Sequence, residues 1–354
     1  MSNIEIENFL WGVNFHGFSC ALRQNGQVTP SSLPQQLPPD EYMDDSFRIF
    51  KQSGIQCIRV PLYWESYERN PECFNQELDS ISSLADKYGI SCIYDNHQWK
   101  CSSYFGEGIG FPNSLLTPSF GAGPHLENTS GFNFKHMLKR FWNGWWDRRL
   151  KTVDGKDCWD AQLEFLEGIV NRTKDKSSTL GFEILNEPMV FRQSDFRKVG
   201  IYHDYFVKKI SNLTSKTLFF CFTSSDPLST LNIPWEQAKT KPSHNIVNNI
   251  IFDIHPYPPS SVTMGYYKVI RWFMKNVPIY AGEFNAGIKP GVAINRRQFK
   301  QLINRLKSFK VVGFAFWQWS YIHDYAHPAF NLINIAGDRI YLNENFKNFA
   351  DAIK

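Results

Sequence analysis

"TLGFEILNEP" (179–188) is an apolar run of strand length that stops on an amide, a carboxylate and a proline. A run with so little alternation predicts a strand covered on both faces, as in a parallel sheet flanked by helices. Pro188 cannot donate to a sheet ladder, so the strand should end there. Seven further runs read the same way: 9–17, 55–63, 90–97, 217–225, 249–258, 277–286 and 311–320. Segments with apolar residues at helical spacing lie between most of them, near 40–53, 75–88, 157–175, 195–214, 262–276 and 295–309, with a last one near 343–353. Eight strands alternating with helices predict an α/β fold, a closed (β/α)8 TIM barrel. No polar linker divides the chain, so residues 1–354 are expected to form one domain. The stretch 98–155, rich in Gly, Pro, Ser and aromatics, is read as an irregular inserted loop or lid after strand 3, on the face where the strands end.

Composition narrows the function classes. Hydrophobic residues make up 42% and charged residues 20% of 354, enough for a large core and against global disorder. The net charge of +4 is small and unclustered, which argues against a nucleic-acid partner. Aromatics reach 16% with 11 Trp, suited either to a large core or to flat rings under sugars. "KRFWNGWWDRRLK" (139–151) is basic and aromatic; it is read as part of a long loop or lid, with binding of an anionic group or contact to a membrane surface or lipid as the other readings. The start of the chain shows no basic residues followed by an apolar run, so the expectation is a cytoplasmic protein, or a secreted one whose signal is absent from this chain. Seven Cys are scattered without a CxxC pair, so a zinc knuckle is not expected; Cys101 and Cys158 flank the insertion and could pair.

The chemistry gathers at the strand ends, which converge on one pocket in such a barrel. They carry Asn14 and His16 (strand 1), Arg59 (2), Asp95 and His97 (3), Asn186 and Glu187 (4), Asp253, His255 and Tyr257 (6), Glu283 (7), and Trp317 and Trp319 (8). Two glutamates on opposite strands suit glycoside hydrolysis, one as a protonated acid and one as an ionised nucleophile about 5–5.5 Å away. Arg59 and the Tyr257 hydroxyl favour an ionised Glu283, and Glu187 beside His255 is expected to have a raised pKa. His97, His255 and Trp317, taken singly, would equally suit structural roles. Asp95 and Asp253 are read as supporting residues, and Glu183 within strand 4 has no assigned role.

"IRVPLYWE", "YDNHQW", "LNEP", "DIHPY", "AGEFNA" and "FAFWQW", in this order, resemble glycoside hydrolase family 5, the cellulase-like retaining β-glycosidases of clan A. The resemblance covers about residues 9–320. It implies Glu187 as acid/base and Glu283 as nucleophile. Arg59, His97, Asn186, His255, Tyr257 and Trp317 would form the first sugar subsite, with Asn186 toward the sugar 2-hydroxyl and Trp317 as its floor. His16 and Trp319 are further candidates for sugar contact, with packing as the other reading. The long 98–155 segment departs from the minimal family pattern and puts an open, endo-acting cleft in doubt. It would cover one end of the cleft, offer an apolar surface to an aglycone, or fold back as packing.

The resemblance implies no cofactor and no metal, and an oligo- or polysaccharide or glycoconjugate substrate. A β-glucanase is the first expectation, with a β-mannanase or a glycosylceramidase-like enzyme as alternatives. A metal-dependent hydrolase on the same barrel is the first rival, because "DNH" and "DIH" look like ligand pairs; Arg59 in the pocket would repel a cation. A non-catalytic carbohydrate-binding protein is the second, but it would have no need of both Glu187 and Glu283.

Overall fold

In the computed structural model the described residues are 9–17, 22–24, 27–29, 39–105, 108–121, 123, 131–223, 234–243, 249–257, 260–274, 277–285, 294–320, 331–336 and 339–353. Eight parallel strands close into a barrel: β1 (Leu10–Asn14), β2 (Cys57–Leu62), β3 (Ser91–Asn96), β4 (Thr179–Glu183), β5 (Thr217–Cys221), β6 (Ile250–Asp253), β7 (Ile279–Phe284) and β8 (Gly313–Phe316). β8 pairs with β1, and Asn14 sits opposite Arg59 across the β1–β2 pair. All eight expected strands are present. Two short antiparallel hairpins lie outside the barrel, Leu22–Gln24 with Gln27–Thr29 and Ile333–Ala336 with Arg339–Leu342.

The helices form where local chemistry starts and stops them. Helix Pro71–Tyr88 begins at Asn70, whose side chain accepts from the Cys73 amide at 3.1 Å, has Pro71 in its first turn, and ends at Gly89 with φ 67°. Phe74, Leu78, Ile81 and Ala85 recur on its buried face. Helix Arg296–Ser308 opens on a capping box between Asn295 and Gln298.

Inside the barrel, alternation stacks two unlike layers. Cys57, Ile93, Phe219, Ile251, Tyr280 and Ala315 fill the lower lumen. Two residues further along four of these strands lie Arg59, Asp95, Cys221 and Asp253, buried and mostly polar. Strict alternation would turn Glu283 away from this layer. Between the β7–β8 pairs Ala281–Phe314 and Phe284–Phe316, however, β7 carries one extra residue, and this bulge brings Glu283 into the ring. Gly282 is needed there: a Cβ would lie 1.8 Å from Asp253 Oδ2.

The inserted segment departs from the sequence expectation. It contains helices Asn113–Phe120 and Gly131–Trp146, so much of it is regular rather than a loose lid. Leu138, Phe141, Trp142, Trp145 and Trp146 are buried, Trp142 and Trp145 completely. Of the three readings for "FWNGWW" (141–146), packing is the one realised. Cys101 and Cys158 are free and separately buried, not paired. Cys101 is placed by a hydrogen bond from its amide to Gln98 Oε1 at 2.9 Å, and the Cys158 sulfur lies against the Trp145 carbonyl. Cys20 lies outside the described residues. Among the described residues no helix is long and apolar enough to cross a membrane.

Candidate active site

Arg59 on β2 organises the pocket. Its side chain is fully buried, and each of its five N–H donors has an oxygen within 3.0 Å. Nε meets Glu183 at 2.8 Å; one Nη meets Asn14 and Glu283, both at 3.0 Å; the other meets Asn186 at 2.7 Å and Asp95 at 3.0 Å. A guanidinium with all donors used is held rigidly and holds its partners in turn.

Glu283 is gripped from both sides. Arg59 occupies Oε1, and the Tyr257 hydroxyl donates to Oε2 at 2.9 Å. Its side chain is only 7% exposed, whereas Glu187 is 32% exposed and reaches the pocket mouth. One oxygen of Glu187 and one of Glu283 lie within 4.8 Å of each other.

Glu187 does not sit on a ladder. β4 ends at Glu183, and the chain continues with the Asn186 amide bonded to the Asn96 carbonyl at 2.9 Å. Glu187 then adopts φ 40°, the left-handed region that non-glycine residues avoid. Gln98 holds this turn by donating Nε2 to the carbonyls of Asn186 (3.0 Å) and Glu187 (2.9 Å). Trp146 of the insertion adds a hydrogen bond from its indole N–H to the Met189 carbonyl at 2.8 Å.

The electrostatics revise one expectation. Nδ1 of His255 lies 2.7 Å from Glu187 Oε1 and 3.7 Å from Glu283 Oε2, and Nε2 lies 3.4 Å from Asp253. Burial opposes charge on His255, but Glu283 and Asp253 outweigh it and place its pKa well above the ordinary value. Burial likewise would raise Glu187, but the hydrogen bond and charge of His255 hold it below the usual range rather than above it. The proton of this pair therefore rests toward His255.

On the other side, burial lowers His97 to about 3 and raises Asp95 to about 7 against the pull of Arg59. The two meet at 2.6 Å between Nδ1 and Oδ2, and so share one proton.

Rings line the wall. Trp317 is partly exposed, stacks on His97 (5.4 Å, 15°) and takes the edge of His16 (5.2 Å, 83°). The Trp317–Gln318 peptide is cis. His16 is buried, with Nε2 3.2 Å from the Tyr63 hydroxyl. Trp319 points into the core, fully buried against Phe50 and Phe346 with its N–H on Ser46 at 3.0 Å, so of its two readings packing is the one realised. The structure thus brings Arg59, His97, Asn186, Glu187, His255, Tyr257, Glu283 and Trp317 together. It adds Gln98, Tyr63 and Glu183, to which no site role had been given.

Among the described residues, two trios could offer metal ligands: Glu187, His255 and Glu283, and Glu183, Cys221 and His255. Both depend on His255, whose Nδ1 already serves Glu187, and Arg59 stands 3.0 Å from Glu283. A divalent cation would meet that guanidinium at close range.

Fold and pocket together define a glycosyl hydrolase. The model of the cellulase family, glycosyl hydrolase family 5, matches residues 13–322, and the chain belongs to that family. An endoglycoceramidase of Hydra vulgaris is 25% identical over 176 residues, 42% of this chain and 32% of that protein, so the match spans about a third of the relative's length. Among solved structures, an endogalactoceramidase superposes with a TM-score of 0.68 at 14% identity, covering 98% of this chain and 80% of the other. The endoglucanase Cel5A of Pseudomonas stutzeri superposes with a TM-score of 0.60 at 15% identity, covering 99% and 97%.

Proposed function

We propose that the protein hydrolyses β-glycosides with retention, using Glu283 as nucleophile and Glu187 as acid and then base. The observation that carries this is the approach of the two carboxyl groups to within 4.8 Å, on the retaining side of the ~6.5–9.5 Å that inversion needs for an intervening water. Glu283, charged and doubly held, attacks the anomeric carbon. The leaving oxygen takes the proton of the Glu187–His255 pair through Glu187 Oε1. Consuming the Glu283 charge removes part of what holds that proton on His255, so donation becomes easier as the bond breaks. Water then gives its proton to Glu187 while its oxygen displaces Glu283.

Asn186, fixed by Arg59 and by the Gln98 carbonyl, would bind the sugar 2-hydroxyl, and Trp317 would lie under the ring. His97, neutral and stacked on Trp317, would orient a further hydroxyl.

For the substrate, the reading supported best is a β-glycoside with a lipid aglycone, of the glycosylceramide class. It draws on the endoglycoceramidase relative and on Trp99, an indole 49% exposed next to Gln98 at the pocket side of the barrel. A β-glucan is the second reading, favoured by the cellulase family model; a β-mannan fits the same catalytic set. A panel of glycosylceramides, β-glucans, β-mannans and aryl β-glycosides decides among these, with the product anomer followed by NMR. Turnover of glycosylceramide with the β-anomer released first is the expected result. An α-anomer released first refutes retention, and turnover of glucan alone refutes the lipid reading.

A further inference from the structure

The inner ring sets four carboxyl groups against one guanidinium. Asp95, Glu183, Asp253 and Glu283 lie 3.0, 2.8, 3.6 and 3.0 Å from Arg59, and all are buried. Among the described residues, the other cation found in this ring is His255, already facing Glu187, Glu283 and Asp253. Four ionised carboxylates in this space would leave an excess of buried negative charge, which neutralisation relieves.

The hydrogen bonds show which group carries least. Both oxygens of Glu283 have donors. Asp253 accepts the Gly282 amide through Oδ1 and faces His255 and Arg59 through Oδ2. Asp95 also leaves its Oδ1 buried without a partner, but its Oδ2 takes both Arg59 and His97. Glu183 has a single donor, Arg59 Nε, on Oε2, and its Oε1 is buried without a partner. An ionised carboxylate with a bare buried oxygen is costly, and a neutral acid is much less so. The Cys221 thiol also lies within 4.8 Å of a Glu183 oxygen, and burial pushes it up to about 12 and keeps it neutral.

We propose that Glu183 is a carboxylic acid that stays neutral at neutral pH, a positioning residue that fixes Arg59 through Nε and leaves the guanidinium charge to Glu283. It thereby holds the nucleophile in place without competing for its counter-ion, and in this it rests on the reading of Glu283 given above. The shift of Glu183 well above the usual carboxyl range, from burial reinforced by Asp95 and Asp253 against Arg59, agrees with the hydrogen-bond pattern.

The test compares Glu183→Gln with Glu183→Ala in the full chain. Gln is neutral, has the same shape, and keeps an oxygen for Nε. E183Q should retain kcat/KM within about fivefold and Tm within about 2 °C. E183A should lose Tm by about 5 °C or more and kcat by on the order of 100-fold with little change in KM, because Arg59 loses an anchor. The infrared difference spectrum of wild type minus E183Q at neutral pH should show the carbonyl stretch of a protonated acid. If E183A does not fold, E183Q and the infrared band decide alone. Losses in E183Q as large as those in E183A, or a difference spectrum without the acid band, overturn the proposal. Tm and infrared need no turnover, so a protein inactive on every β-glycoside would refute the glycosidase reading and leave the protonation of Glu183 separately decided.

Discussion

Nδ1 of His255 and Oε1 of Glu187 are 2.7 Å apart, so the residue read as the acid shares its proton with an imidazole rather than holding it alone. A proton shared in this way leaves the pair as a unit, at a pH set by both groups. Because His255 lies well above its ordinary value, the alkaline limb of kcat/KM should lie higher than that of a lone carboxyl. Replacing His255 with Gln should move that limb to lower pH and narrow the profile. A limb that stays in place refutes the shared proton.

Glu187→Gln should cost roughly 10²–10⁴ in kcat on glycosides whose leaving group must be protonated. On activated aryl glycosides, which leave without help, the first step should be nearly intact and the second should become limiting. A burst of aryl alcohol followed by slow turnover is the measurement. Equal losses on both substrate types would contradict the acid role.

Glu283→Gln removes the attacking oxygen and should abolish turnover to within detection, a loss of about 10⁴-fold or more. A slow mechanism-based glycosyl fluoride should leave a covalent sugar on the wild-type peptide that contains Glu283. Mass spectrometry locating the label on another carboxylate would reassign the nucleophile.

These residues were legible because each ends a continuous apolar run, and runs of that kind survive in sequence as plain composition. The insertion was less legible. Its helix Gly131–Trp146 does carry the spacing Leu138, Phe141, Trp145, but Gly and Asn interrupt it and the surrounding Ser, Pro and Gly obscure it. Gln98 could not be read at all. Its grip on Asn186 and Glu187 depends on a turn in which Lys100 and Cys101 both have positive φ, without glycine to announce it. Glu183 has no role legible in its own strand, because its partners Arg59 and Asp95 come from other strands. Glu283's inward direction depends on the bulge in β7, which no periodicity displays.

Asp95 gives a prediction about stability. Its folded pKa of about 7 is raised from 3.8, so it contributes stability that is fully present below pH 4 and lost as pH rises toward 7. His97, lowered from 6.5 to about 3, contributes the opposite slope between pH 3 and 6.5. Over the shared range the folded and unfolded pairs bind the same number of protons, and the two slopes cancel. Asp95→Asn leaves His97 alone, so stability should climb with pH from about 4 to 6.5 relative to wild type, by up to ~3 kcal/mol. Denaturant unfolding of both proteins across this range is the check; parallel curves would refute the coupling.

Gln98→Leu keeps most of the side-chain volume and removes both donors to the Asn186 and Glu187 carbonyls. Glu187 then loses what holds its left-handed backbone, and kcat should fall on the order of 10–100-fold, with less effect on KM. Buried carbonyls left unmet should cost about 1–3 kcal/mol of stability. A stability loss with unchanged kcat would show that Gln98 only packs.

The insertion contains two kinds of tryptophan, and they should respond differently. Trp145 is fully buried against Phe111 and Phe141, and truncation to Ala should cost about 3–5 kcal/mol of stability. Trp99 is half exposed beneath the Lys100 ammonium at 4.4 Å, and Trp99→Ala should leave Tm nearly unchanged. If that ring receives the aglycone, W99A should raise KM about tenfold or more for a long-chain glycolipid and hardly at all for a small aryl glycoside carrying the same sugar. The comparison isolates the aglycone, since the sugar and the two carboxylates are common to both substrates. An equal change in KM on both would place Trp99 against the sugar, and no change on either would remove it from the binding surface.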